Sequence, residues 1–146
     1  MGGKTAARVD FYILPDARPG GRERLACGVA EKAWRHGYRV YVRAADSSEA
    51  ARLDTLMWTF RDGSFVPHAM TATADARDPI VIGSSDDPPP SGCDMLVNLD
   101  PGQPPAMEEW SRIAELSNQQ DEHIQAAREK FRWYRSQGIE PGTIRL

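Results

Sequence analysis

The 146 residues predict an α/β domain, a mostly parallel sheet with helices on both faces. Short Val, Ile and Tyr runs alternate with amphipathic stretches, as strands do when helices carry the chain between them. The first strand-helix-strand unit closes through a connection of only a few residues, the spacing of a doubly wound fold. The chain is long enough to bury most of its apolar surface without disulfides or metals, so residues 1–146 are expected to form a single domain, with 1–7 as a flexible N-terminus.

The first strand is read over 9–14, an apolar and aromatic run ended by Pro15. A loop through Pro19, Gly20 and Gly21 enters a helix over 22–36, and Gly37 is placed to cap it. A strand at 39–43 follows almost at once. Asp46 and Glu49 then form an Asp version of a capping box for a helix over 47–60. Its apolar face holds Ala50, Leu53, Leu56, Met57 and Phe60, whereas Trp58 projects away beside Ala51 and Asp54. Residues 65–68 suggest a short strand that Pro67 restricts to an edge or an end. Residues 80–82 and 95–99 are two further strands, separated by the Pro-rich loop SSDDPPPSG. PGQPPAMEEW opens a short helix expected to cover a sheet edge. The last helix spans 121–137, and Gly138 stops it.

That last helix carries the most suggestive pattern. Ile124, Ala127, Phe131 and Tyr134 share one face, and Arg128, Arg132 and Arg135 form a ridge along its border. An apolar notch beside guanidinium groups suits a short peptide with a hydrophobic residue and a carboxylate. The same stripe also fits a helix that simply covers a core, with flanking arginines snorkelling over it.

Charge argues against a protein that binds by neutralising phosphates: 18 Lys and Arg against 21 Asp and Glu give a net −3. The basic residues nevertheless cluster near the end, at Arg128, Lys130, Arg132, Arg135 and Arg145, which favours a local anion-binding face. Cys27 and Cys93 lack CxxC spacing, a cytosolic pattern, and no run is apolar enough for a signal peptide or a membrane span. A soluble intracellular protein is expected.

Catalytic and cofactor motifs are missing. GGKT at 2–5 resembles the end of a P-loop but precedes the first strand, and the turn PDARPGGRERL lacks GxGxxG. A Rossmann-like fold without a nucleotide site is therefore predicted. His36, His68 and His123 lie in separate elements without metal-ligand spacing, and neither cysteine sits in a nucleophile signature. Acidic pairs such as Asp86 with Asp87, or Glu108 with Glu109, are solubilising or helix-start groups. No cofactor or metal is expected.

FYIL at 11–14, CGVAEKAWRHGYRVYV, LDTLMW, SFVPH at 64–68, DMLVNL and the terminal AREKFRWYRSQG occur in an order that resembles the chi subunits of bacterial DNA polymerase III. The combination LDxxxW, FVPH and AREKxRxYRxxG is the most specific part. The resemblance implies a non-catalytic Rossmann-like accessory subunit that links the clamp loader to single-stranded DNA-binding protein, meeting DNA only indirectly and no membrane. It also implies two binding faces. The last helix would dock the acidic, phenylalanine-ended tail of single-stranded DNA-binding protein at Ile124, Arg128, Phe131, Arg135 and Gly138. Phe131 stands where the family can carry tyrosine, and Ile124 where it can carry lysine, which should weaken the electrostatic part of binding. Trp58 and Phe65 match the face that holds the psi subunit, or the clamp loader, and an overlapping surface can serve a damage-response helicase. As plain structure, Phe65 also fits a core strand and Trp58 a residue packed under a loop. A nucleotide-binding enzyme and a direct single-stranded DNA binder are the competing functions.

Overall fold

A computed structural model describes residues 7–61 and 66–146. Its strands are β1 (Arg8–Ile13), β2 (Val40–Ala44), β3 (Ala69–Met70), β4 (Ile80–Ser84), β5 (Met95–Asn98), β6 (Arg112–Ser117) and β7 (Gly142–Arg145). The helices are α1 (Gly21–Arg35), α2 (Ser47–Thr59) and α3 (Asp121–Ser136), with a 3₁₀ turn at Met107–Glu109. The strands form one sheet in the order β3-β4-β2-β5-β6-β1-β7, and every pairing is parallel.

Alternation along each strand sorts the core into two layers. Val40, Val42, Ile80, Ile82, Met95, Val97, Ala114 and Leu116 face α1 and α2, which meet them with Ala26, Ala30, Leu53 and Met57. Val9, Phe11, Tyr41, Val81, Leu96 and Ile113 face the other way, toward α3 and Trp110. The Rossmann-like α/β architecture with helices on both faces is thus present, and the sheet is wholly parallel. Strands buried on both faces account for the near-continuous apolar runs IVI and MLV.

The local signals act as chemistry requires. Asp46 Oδ1 accepts from the Glu49 amide at 2.8 Å, and Glu49 Oε1 accepts from the Ala45 amide at 2.9 Å, which closes both sides of the α2 cap. Gly37 and Gly138 take φ of 94° and 82° just past α1 and α3, a region that only glycine enters without strain.

Four expectations are corrected. The strand placed at 65–68 lies instead at Ala69–Met70, because Pro67 withholds a donor and the chain pairs with β4 only beyond it. Phe65, with residues 1–6, lies outside the described residues, and Ala7, expected to be part of a flexible terminus, is buried. β6 and β7 escape a reading that counts only apolar runs. The turn after PGQPP covers a sheet face, not an edge: Trp110 stacks on Tyr41 at 6.2 Å and donates from Nε1 to the Pro105 carbonyl at 2.8 Å.

β6 carries a carboxylate into the core, and α3 answers it. Glu115 receives Lys130 Nζ at 2.5 Å and the Tyr134 hydroxyl at 2.6 Å, and Asn98 Nδ2 reaches both its oxygens at 3.1 and 3.2 Å. Lys130 Nζ also donates to the Asp100 carbonyl at 2.8 Å. Burial, and then the adjoining Glu115 carboxylate, push the Tyr134 phenol well above its ordinary range, so it remains a donor. Lys130 therefore holds α3 to the sheet and is not part of the basic surface cluster in which the sequence had placed it.

Candidate functional site

α3 packs against β6, and between α3, β1 and β7 lies an open notch of about 340 Å³. Phe11 and Ile13 of β1 form its floor, and Ile124, Ala127, Arg128 and Phe131 form the helix wall. The opposite wall is Thr143 and Arg145 of β7, and the loop Ser117 to Gln119 closes one end. The parallel register places Phe11 beside Thr143 and Ile13 beside Arg145, so these four side chains leave the same face of the sheet.

The notch is apolar below and cationic at its rims. Phe131 is half-buried, with its ring 5.4 Å from that of Phe11, and is therefore held in place before any ligand arrives. Among the described residues neither Arg128 nor Arg145 makes an ion pair, and no carboxylate lines the cavity. Such a site can take an apolar side chain while its guanidiniums bind carboxylates. Of the sequence-predicted residues the fold brings together Ile124, Arg128 and Phe131. Arg135 does not line the notch and lies 3.5 Å from Glu140, and Gly138 ends α3 without facing the cavity. Thr143 and Arg145 join the notch only through the pairing of β7 with β1, and the alternation in GTIR is the sequence signal for that strand.

The second predicted face is built on α2. Trp58 is 51% exposed and lies against His68, ring centroids 4.6 Å apart. His68 has a fully buried side chain, its Nδ1 2.7 Å from the Val66 carbonyl and its Nε2 3.2 Å from Asp54 Oδ1. A buried imidazole, hydrogen-bonded through Nδ1 alone among the described residues, thus lies against an indole that is half exposed.

A second cavity has its main polar groups already engaged. It has a volume of about 450 Å³ and lies beneath the Pro-rich loop. Its Arg39 donates to the carbonyls of Asp75, Asp78 and Ser91, and its Asp87 accepts from Thr71 and from the Ser84 amide. At the carboxyl ends of the central strands, where such folds hold ligands, the chain fills the space itself. Arg22, 5% exposed, donates to the Leu99 carbonyl at 2.7 Å, and Arg43 lies 3.4 Å from Asp100. Only about 10 Å³ remains between Arg22, Asp100, Glu115 and Lys130, room for about one water. Burial lowers the Arg22 pKa from its ordinary value, opposed by the neighbouring Glu49.

Among the described residues no group of three or more His, Cys, Asp or Glu is placed to hold a metal ion. Burial pushes the Cys27 thiol up to about 12 and the Cys93 thiol to about 11, the opposite of what a nucleophile needs. No described helix is long and apolar enough to cross a membrane.

Comparison with known proteins agrees with the resemblance read from the sequence. A solved structure of T4 UvsW superposes with a TM-score of 0.65 at 7% identity, over 96% of this chain and 41% of that one, which is a likeness of fold alone. DNA polymerase III subunit chi of Pseudomonas aeruginosa is 44% identical over 131 residues, 90% of this chain and 91% of that protein. The chi subunits of Escherichia coli K12 and Haemophilus influenzae are 29% and 28% identical, over 83% and 91% of this chain and 83% and 93% of their own lengths. The family described as DNA polymerase III chi subunit, HolC, matches residues 7–142, and the chain belongs to that family.

Proposed function

We propose that this chain is a non-catalytic cytoplasmic replication subunit that ties the DNA polymerase III clamp loader to single-stranded DNA-binding protein, by docking that protein's acidic, phenylalanine-ended tail in the notch beside α3. The observation that carries this reading is Arg128 without an ion-pair partner among the described residues, beside a half-buried Phe131 that is already packed on Phe11. The tail's phenylalanine enters the apolar floor as its carboxylates meet guanidinium. A contact of a few residues fits micromolar affinity, about −8 kcal/mol. Several tails on one oligomeric partner raise the effective affinity through local concentration.

Calorimetric titration with an acidic, phenylalanine-ended peptide tests this. Arg128→Ala weakens binding roughly tenfold or more, as loss of a charge-assisted hydrogen bond does, and Phe131→Ala acts likewise by opening the notch. A single-stranded oligonucleotide binds far more weakly than the peptide. Tight oligonucleotide binding without peptide binding refutes the reading.

Trp58, with Phe65 nearby in sequence, serves the second face, toward a psi subunit or the clamp loader, with a damage-response helicase able to use an overlapping surface. The exposed indole held on buried His68 supports it. Trp58→Ala and Phe65→Ala should each abolish co-purification with that partner while leaving peptide binding intact.

A further inference from the structure

The notch has two walls, and only one of them is helical. Arg128 is the cation that α3 contributes to the lining, because the neighbouring helix position one turn earlier is Ile124. A ligand with a second carboxylate must find its partner elsewhere. β7 supplies one: Arg145 is exposed, lines the opposite wall and makes no ion pair among the described residues. Its direction follows from the sheet. Parallel pairing places Arg145 beside Ile13 and Thr143 beside Phe11, and both floor residues belong to the α3 side. Arg145 therefore stands across the apolar floor from Arg128, and no acidic side chain lines the space between to neutralise either one.

We propose that Arg145 is a second anion anchor of the tail site, so that an acidic, hydrophobic-ended peptide is clamped between α3 and β7, one carboxylate on Arg128 and another on Arg145, with its apolar side chain on Phe11 and Phe131 between them. The proposal rests on the tail-docking reading and adds a wall that the helix alone lacks. It assigns the specificity to ligands with at least two carboxylates, since a single acidic group satisfies only one wall.

The test is titration of the full chain with an acidic, phenylalanine-ended peptide across a range of salt concentrations. Arg145→Gln should weaken binding roughly three- to tenfold and flatten its salt dependence, as removal of one engaged cation does. Arg145→Lys should retain most of the affinity. Arg132→Gln, an exposed arginine on α3 outside the notch, should change neither property, and the variants should melt with the wild type because Arg145 is exposed. If Arg145→Gln binds like wild type while Arg128→Gln is impaired, the tail lies on α3 alone and the clamp is wrong. Equal losses for Arg145→Gln and Arg132→Gln would also overturn it, reducing the effect to a general positive field. If Arg128→Gln and Phe131→Ala also bind like wild type, the docking reading itself fails.

Discussion

The two sides of α3 use the same residue types to opposite ends. On its underside Lys130 meets Glu115, the Asp100 carbonyl lies beside them, and Tyr134 donates to the other carboxylate oxygen. On its outer border Arg128, like Arg145 facing it from β7, makes no ion pair among the described residues, and Phe131 is only half covered. The inner charges are matched and hold the helix in place, whereas the outer ones are open and available. A count of basic residues cannot separate these roles. Saturation can: a cation whose hydrogen bonds are complete belongs to the fold, and one left beside an apolar cavity is a candidate for binding.

The sharpest way to break this contrast is to remove the inner cation. Lys130→Met strands Glu115 in the core, and an uncompensated buried charge costs about 3 to 5 kcal/mol. Urea denaturation should show a matching drop in midpoint. Adding Glu115→Gln to the same protein should recover much of the loss, because the neutral amide removes the unpaired buried charge and still accepts from Tyr134 and Asn98. If Lys130→Met is neutral, the inner charge does not anchor the helix. Tyr134→Phe is a smaller probe of the same site. It removes one hydrogen bond to a carboxylate, worth about 1.5 to 3 kcal/mol, and leaves the packing on Phe11 and Trp133 in place.

The outer surface predicts the reverse. Arg128→Ala should shift stability by no more than about 0.5 kcal/mol, as exposed positions generally do, and Trp58→Ala, which also uncovers His68, by less than the roughly 3 to 5 kcal/mol of a buried aromatic, while each impairs its own partner. A large loss of stability in either variant would move that residue from the binding surface to the fold. Comparison of thermal midpoints with peptide titration and co-purification on the same preparations separates the two cases.

Much of the fold was legible because its signals are local. The Asp46 and Glu49 cap, Gly37 and Gly138 beyond the helices, and the apolar runs of β1, β2, β4 and β5 are each written within a few residues. β6 was not legible for a physical reason. RIAELS puts a glutamate in the middle of a buried strand, and the lysine, tyrosine and asparagine that satisfy it lie elsewhere in the chain. Its alternation is also compatible with a helical reading, since Ala, Glu and Leu are good helix formers. The site divides along the same line. Helical periodicity found Ile124, Arg128 and Phe131 together because α3 alone fixes their spacing. It also counted Arg135 as part of the ridge, although the helix carries that residue past the cavity toward Glu140. Arg145 needed the β1 to β7 register, which no local pattern contains.

The smallest expected effect lies at the N-terminal end of α3, where the inner and outer environments meet. His123 has its Nδ1 2.8 Å from Asn118 Oδ1, an acceptor, so the proton sits on Nδ1. Burial lowers the His123 pKa, and Arg22 and Lys130 lower it further, while Glu122 and Glu23 pull it upward. Above its ordinary range, near 6.5, folded and unfolded chains are both neutral at this residue. As the pH falls through that range the unfolded chain takes up a proton that the folded one still refuses, so stability declines and then levels off below the folded pKa. His123→Asn keeps a donor for Asn118 but cannot titrate. Thermal midpoints measured between pH 7.5 and pH 5, a window set by the ordinary histidine value, should therefore fall more steeply for the wild type than for the variant. Parallel curves would mean that His123 is free to protonate in the folded protein, and that the end of α3 is part of its open surface.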